Sequence, residues 1–205
     1  MSHLTPRYAI DKLLRYHYER VYPDAPWLTA DAISILSSVL RVSDRGLEYG
    51  SGRSTLWLAK RTGSLTSLEH SRQWYERVNA GVLRERVCNV NLKHVPADAR
   101  RSDDPYRADY VDGDPELQPE SLDYALVDGI YRDACALRVT NLIKTGGLLI
   151  VDNANWFIPH STRSPTSART VASPGWSEFL FRVANWRLIW TTNGVTDTAM
   201  WFKAV

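Results

Sequence analysis

The chain has 205 residues, 44% apolar and 23% charged, with 25 Lys and Arg against 23 Asp and Glu for a net charge of +2. These proportions fit one globular domain with a core of its own and argue against disorder, collagen and coiled coil. The balanced charge gives no sign of a nucleic-acid or membrane-surface binder, and no run of about 18 apolar residues reads as a spanning helix. The start of the sequence lacks a signal-peptide pattern, so a cytoplasmic protein with buried, reduced Cys88 and Cys135 is expected.

Residues 1–44 read as a helical cap over the ligand-binding edge. Ile10, Leu13, Leu14, His17 and Val21 share one helix face, and Pro23 and Pro26 end that helix. Thr29 caps a second helix with Ile33, Leu36 and Leu40 on one side. From Gly46 short strands alternate with helices: strand Gly46–Tyr49, helix Arg53–Arg61, strand Leu65–Glu69, helix Gln73–Leu83 and strand Asn91–Pro96. Strand Leu122–Val127, helix Ile130–Ile143, with Cys135, Val139 and Leu142 on one face, and strand Gly147–Val151 follow. A helix over Ser177–Ala184 leads to Arg187–Thr192 and Thr198–Lys203, joined around Asn193-Gly194 as an antiparallel hairpin. The pattern predicts an α/β protein with a doubly wound, Rossmann-like, seven-stranded sheet, mostly parallel with an antiparallel C-terminal strand. Its single domain comprises the cap and a core over residues 45–205. Two segments break the rhythm. Ser102–Glu120 carries seven carboxylates against Arg107 alone and reads as a solvated acidic loop. Trp156–Gly175 follows the end of a central strand, where open α/β sheets bind ligands, and reads as a lid or binding loop.

The turn after the first strand is Glu48-Tyr49-Gly50-Ser51-Gly52-Arg53-Ser54. Its glycines let the backbone turn tightly and approach a ligand, and the helix start offers free N–H groups. Thr55 stands where a dinucleotide fingerprint has its third glycine or alanine, which stands against NAD. Arg53-Ser54 lacks the lysine and the spacing of a phosphate loop. Glu69, at the tip of the second strand, is placed to accept hydrogen bonds from both hydroxyls of a ribose. Asp98, after the third, would stand near an adenine amino group.

With Glu48-x-Gly50-x-Gly52-x-Ser54, Glu69, Asp98-Ala99 and the closing hairpin in this order, residues 46–203 resemble the class I S-adenosylmethionine-dependent methyltransferases. The resemblance implies S-adenosylmethionine as cofactor. Gly50 and Gly52, with Ser51 and Ser54, would pass under its methionine part. Glu48 would organise the turn or hold the amino group, Glu69 beside His70 would bind the ribose, and Asp98 with Ala99 would read the adenine.

A second constellation closes strands four and five. Asp128 ends one, and Asp152-Asn153 ends the other. Adjacent strands would bring both carboxylates and the amide together, and a cation between them would resolve their repulsion. Hard oxygen donors suit Mg²⁺, Mn²⁺ or Ca²⁺. The set resembles the metal triad of the catechol- and caffeoyl-CoA-type O-methyltransferases, in which a metal chelates the acceptor and lowers its hydroxyl pKa. Tyr131 stands where those families carry a catalytic lysine, and the glycine loop is shorter than theirs. Asp128, Tyr131 and His160 are the catalytic candidates, His160 as general base from the long loop. Tyr131 and Arg132 should line the acceptor side; Trp156 and Phe157 either stack on a flat acceptor or pack. The expected partner is a small-molecule hydroxyl acceptor, and the aromatic content permits a homodimer. Asp104-Pro105-Tyr106 resembles the Asp-Pro-Pro-Tyr of DNA amino-methyltransferases but precedes strand four, so no nucleic acid is expected. Three alternatives stay open: a metal-independent N- or O-methyltransferase, a non-catalytic nucleoside-binding protein of the same fold, and an NAD enzyme.

Overall fold

The computed structural model describes residues 5–204; the first four residues of the expected cap lie outside this range. The elements in chain order are α1 (Pro6–Val21), α2 (Ala30–Val39), β1 (Arg45–Tyr49), α3 (Arg53–Ala59), β2 (Ser64–Glu69), α4 (Arg72–Arg84) and β3 (Val90–His94). They continue with α5 (Arg107–Asp112), β4 (Leu122–Val127), α6 (Arg132–Leu142), β5 (Ile143–Asp152), a 3-10 turn (Ala154–Trp156), α7 (Pro174–Arg182), β6 (Arg187–Thr192) and β7 (Asp197–Phe202). Alternation along the central strands explains the layering. Ala125, Val127, Leu149, Val151, Ala199 and Trp201 enter one apolar cluster, while Tyr124, Leu126, Leu148, Ile150 and Met200 enter another. A period of two with both phases apolar requires cover on both faces. Ile33, Leu36, Trp57 and Leu58 of α2 and α3 cover one; Cys135, Val139, Leu142 and Phe179 of α6 and α7 cover the other.

The seven strands lie in the order β3-β2-β1-β4-β5-β7-β6, with β7 antiparallel to both of its neighbours and the remaining pairs parallel. This is the expected α/β architecture. The order reverses between β1 and β4, so the crevice used for ligands in open α/β sheets falls at the C-terminal tips of those two strands.

Several local expectations are corrected. The aliphatic stripe of α1 faces outward: Ile10, Leu13, Leu14 and Val21 are all more than half exposed. The helix docks instead through its opposite side, where buried Asp11 pairs with Arg163 and Tyr18 packs on the second cluster. The acidic stretch is not simply a solvated loop. It contains α5, whose Tyr110 is fully buried, and Asp114 pairs with Lys93 at 2.9 Å. α6 begins at Arg132 because Tyr131 is left-handed (φ 49°), and β5 begins at Ile143 through a register shift against β4. α7 starts at Pro174, earlier than expected, where Ser173 caps it. Cys88 is exposed, and only Cys135 is buried. No helix among the described residues is long and apolar enough to cross a membrane.

Candidate functional site

The turn after β1 uses its two glycines differently. Gly50 has φ +90°, and a Cβ there would stand 2.7 Å from the backbone of Gly129. The loops leaving β1 and β4 therefore meet main chain to main chain, and the Asp128 N–H donates to the Tyr49 carbonyl at 2.8 Å. Gly52 is extended (φ −175°), and the nearest atoms to a Cβ there are 3.8 Å away. Nothing in the described chain requires glycine at 52; the space it leaves belongs to a cleft of ≈ 450 Å³.

Glu48 lies beneath the turn, fully buried. Its Oε2 accepts from the hydroxyls of Ser67 at 2.5 Å and Thr55 at 2.6 Å, and the Thr55 hydroxyl accepts the Gly52 N–H at 2.9 Å. Thr55, the residue that stands against a dinucleotide fingerprint, thus links the buried acid to the turn. The other oxygen, Oε1, has no partner, and burial pushes the Glu48 pKa up to about 7. Glu48 braces the turn and does not line the cleft.

Glu69 forms the wall at the tip of β2. Its Oε2 accepts the Ser51 N–H at 2.9 Å and its Oε1 the Ser71 N–H at 2.8 Å, with His70 Nδ1 3.1 Å from Oε1. Each carboxylate oxygen retains a second lone pair for a ligand hydroxyl. Trp27, from the α1–α2 connection, and Trp74, from α4, complete this end with ring centroids 6.1 Å apart. The Trp74 indole N–H donates to the Ser51 carbonyl, and Arg53 lies 5.1 Å over Trp27. Of the cap, only this connection reaches the cleft. Both tryptophans were missed in the sequence; neither belongs to a motif, and Trp27 is remote from every other lining residue.

At the other end, Asp128, Asp152 and Asn153 do come together, with a side chain between them. The Arg132 guanidinium donates to the carbonyls of Gly129 (2.9 Å), Asp128 (2.7 Å) and Asp152 (2.7 Å), and to Asn153 Oδ1 (3.2 Å). It also pairs with Asp128 Oδ1 at 2.8 Å. Asp152 is buried with both oxygens engaged, Oδ1 by Thr198 and Oδ2 by the Asn153 amide. Burial, then the charge of Asp128, pushes the Asp152 pKa up to about 7. Burial also raises that of Asp128, against the pull of Arg132. These residues do not fit a metal: one donor side chain is buried and turned to Thr198 and Asn153 within the fold, and the other two face a guanidinium. No cluster of three or more His, Cys, Asp or Glu side chains suited to a metal occurs among the described residues.

Other candidates lie outside the cleft. Asp98 turns to Arg100, with contacts of 2.8 and 3.0 Å that hold its carboxyl down at about 2, and it does not line the cleft. Ala99 and Tyr131 border a smaller adjoining depression that shares Gly129 and Arg132 with it. The Tyr131 hydroxyl donates to Asp104 at 2.8 Å, and its pKa is pushed up to about 12, by burial first and then by that bond. His160 stacks on Trp190 at 4.2 Å and reaches neither space, which corrects its assignment as general base. The long loop is pinned to the β6–β7 hairpin through Ser164, which reaches Asp197 and Thr192; none of its residues lines the cleft, whereas Phe157, Ala172 and Ser173 border the adjoining depression. Phe157 stacks on Trp176 and packs against the core.

No protein-family model matches the sequence, and no curated protein is similar to it in sequence. Solved structures are similar in fold. A methyltransferase-like protein from Silicibacter pomeroyi superposes with a TM-score of 0.60 at 20% identity, over 88% of this chain and 89% of its own. A protein provisionally named caffeoyl-CoA O-methyltransferase, from Staphylococcus aureus, gives 0.60 at 15% identity, over 95% and 92%. An rRNA methylase from Streptococcus thermophilus gives 0.53 at 12% identity, over 84% and 93%. The chain has the class I S-adenosylmethionine-dependent methyltransferase fold.

Proposed function

We propose that the protein transfers a methyl group from S-adenosylmethionine to a hydroxyl oxygen of a small molecule. The observation that carries this reading is the open space at Gly52, in a cleft of this fold that Glu69 walls at one end and Asp128 at the other. When bound, S-adenosylmethionine supplies an electrophilic methyl group on a sulfonium. Gly50 and Gly52 would hold its methionine part and Glu69 its ribose. Trp27 and Trp74 would shield the bound cofactor along the outer wall. Asp128 is the cleft carboxylate whose side chain is not committed to backbone N–H groups. Burial raises its pKa and so makes it a stronger base for the acceptor's hydroxyl proton. A small acceptor is favoured over a polynucleotide because the acidic stretch flanks the site through Asp104, and its carboxylates repel phosphate.

Calorimetric titration with S-adenosylhomocysteine, with NAD as control, tests the reading. Binding of the first and not the second supports it. Binding of NAD alone would replace it with a dinucleotide enzyme, and binding of S-adenosylhomocysteine without turnover on any hydroxyl acceptor would favour a nucleoside-binding protein.

A further inference from the structure

We propose that Arg132 is the built-in cation of the β4–β5 end: a guanidinium carried on α6 fills the place that oxygen donors would otherwise offer a divalent metal, and the site works metal-free. Only the consequence for catalysis rests on the methyl-transfer reading; the exclusion of a metal stands on geometry alone.

All three guanidinium nitrogens are engaged. Nε binds the Gly129 carbonyl, Nη1 the Asp152 carbonyl and Asn153 Oδ1, and Nη2 the Asp128 carbonyl and carboxylate, all between 2.7 and 3.2 Å. The acceptors come from the ends of two adjacent strands, so one planar fork staples β4 to β5. The backbone is shaped to suit it. Tyr131, immediately before Arg132, and Asn153, itself one of the acceptors, are both left-handed with φ 49°. A non-glycine residue keeps that conformation only where its surroundings fix it. An arginine stays charged throughout the working pH range and, unlike a metal, cannot dissociate or be chelated. A divalent ion entering here would meet a fixed positive charge and only two side-chain oxygen groups facing it. Arg132 is therefore a positioning residue: it holds Asp128 at the cleft wall and occupies the cation place.

The test is titration of the chelator-stripped full chain with Mn²⁺, followed by the electron paramagnetic resonance of the free ion. The wild type should leave Mn²⁺ free. Arg132→Ala, which exposes Asp128 and Asn153 to an incoming ion, should take it up stoichiometrically, and Arg132→Ala combined with Asp128→Asn should lose that uptake. Arg132→Gln removes the charge but keeps part of the hydrogen bonding; it should behave as Arg132→Ala does and serves if that variant does not fold. Stoichiometric uptake by the wild type that disappears in Asp128→Asn would overturn the proposal. So would a folded Arg132→Ala or Arg132→Gln that leaves Mn²⁺ free. The experiment needs no nucleoside, so its failure is distinct from failure of S-adenosylhomocysteine to bind.

Discussion

At the tips of β1 and β2 the cleft wall is largely main chain, and the acids behind it hold that main chain in place. Glu48 accepts from Ser67 and Thr55 beneath the turn, and Glu69 accepts the N–H groups of Ser51 and Ser71. At the tips of β4 and β5 the wall is charged side chains, and the main chain is what they hold: Arg132 gathers three carbonyls from two strands. The first end depends on backbone conformation and on carboxylates that must fit a cavity. The second depends on one fixed charge. Substitutions should therefore act on the first end through steric fit and protonation, and on the second through electrostatics.

The largest effect should come from Gly50→Val. It combines a side chain at φ +90° with a Cβ only 2.7 Å from the Gly129 backbone. The conformational and overpacking penalties together amount to about 2–5 kcal/mol, read as a lower denaturation midpoint. A variant as stable as the wild type would show that the two loops do not need to touch.

Protonation comes next. Glu48 is raised from 4.5 to about 7 by burial, and Asp152 from 3.8 to about 7 by burial and the neighbouring Asp128. Between these values the folded chain keeps protons that the unfolded chain has released. Their stabilising share is complete below about pH 4 and is lost as pH rises through about 7. For Glu48 alone the loss is about 3 kcal/mol. Glu48→Gln should flatten the fall in melting temperature between about pH 5 and pH 8. An unchanged profile would mean that Glu48 is already ionised in the fold and braces the turn by charge.

Much of the first end was legible because its parts are neighbours in sequence. A strand, a glycine turn and an acid at the next strand tip need only local conformation and one parallel pairing. The sheet was legible for the same reason, since alternation in Tyr124–Val127 and Leu148–Val151 has a short range. The second end was half legible. Electrostatics alone says that Asp128 and Asp152 need a cation between them. That the cation is Arg132, a residue four past Asp128, depends on where α6 starts, and that depends on the left-handed Tyr131. No spacing rule marks a tyrosine for that conformation. His160 and Asp98 show the converse. Each has suitable chemistry in a suitable loop, and each is taken by a closer partner, Trp190 or Arg100. The stripe on α1 fails because periodicity states that a face is apolar and not that anything covers it.

Two binding measurements sharpen the contrast within the first end. Glu69→Ala should weaken S-adenosylhomocysteine by about 1.5–3 kcal/mol, the range for hydrogen bonds to a charged group. It should also cost some stability, because it strands the Ser51 and Ser71 N–H groups. Normal affinity in that variant would remove Glu69 from the ribose. Gly52→Ala should have the smallest effect on the fold. Its φ of −175° is open to any residue, and the added methyl meets nothing within 3.8 Å, so stability should stay within about 0.5 kcal/mol of the wild type. Its effect on ligand binding should nonetheless be clear, because the methyl projects into the space assigned to the cofactor. A variant that melts normally and no longer binds S-adenosylhomocysteine would show that Gly50 is glycine for the protein's own sake and Gly52 for the ligand's. If Gly52→Ala binds as the wild type does, that space is not where the nucleoside cofactor sits, and the reading of the glycine turn falls with it.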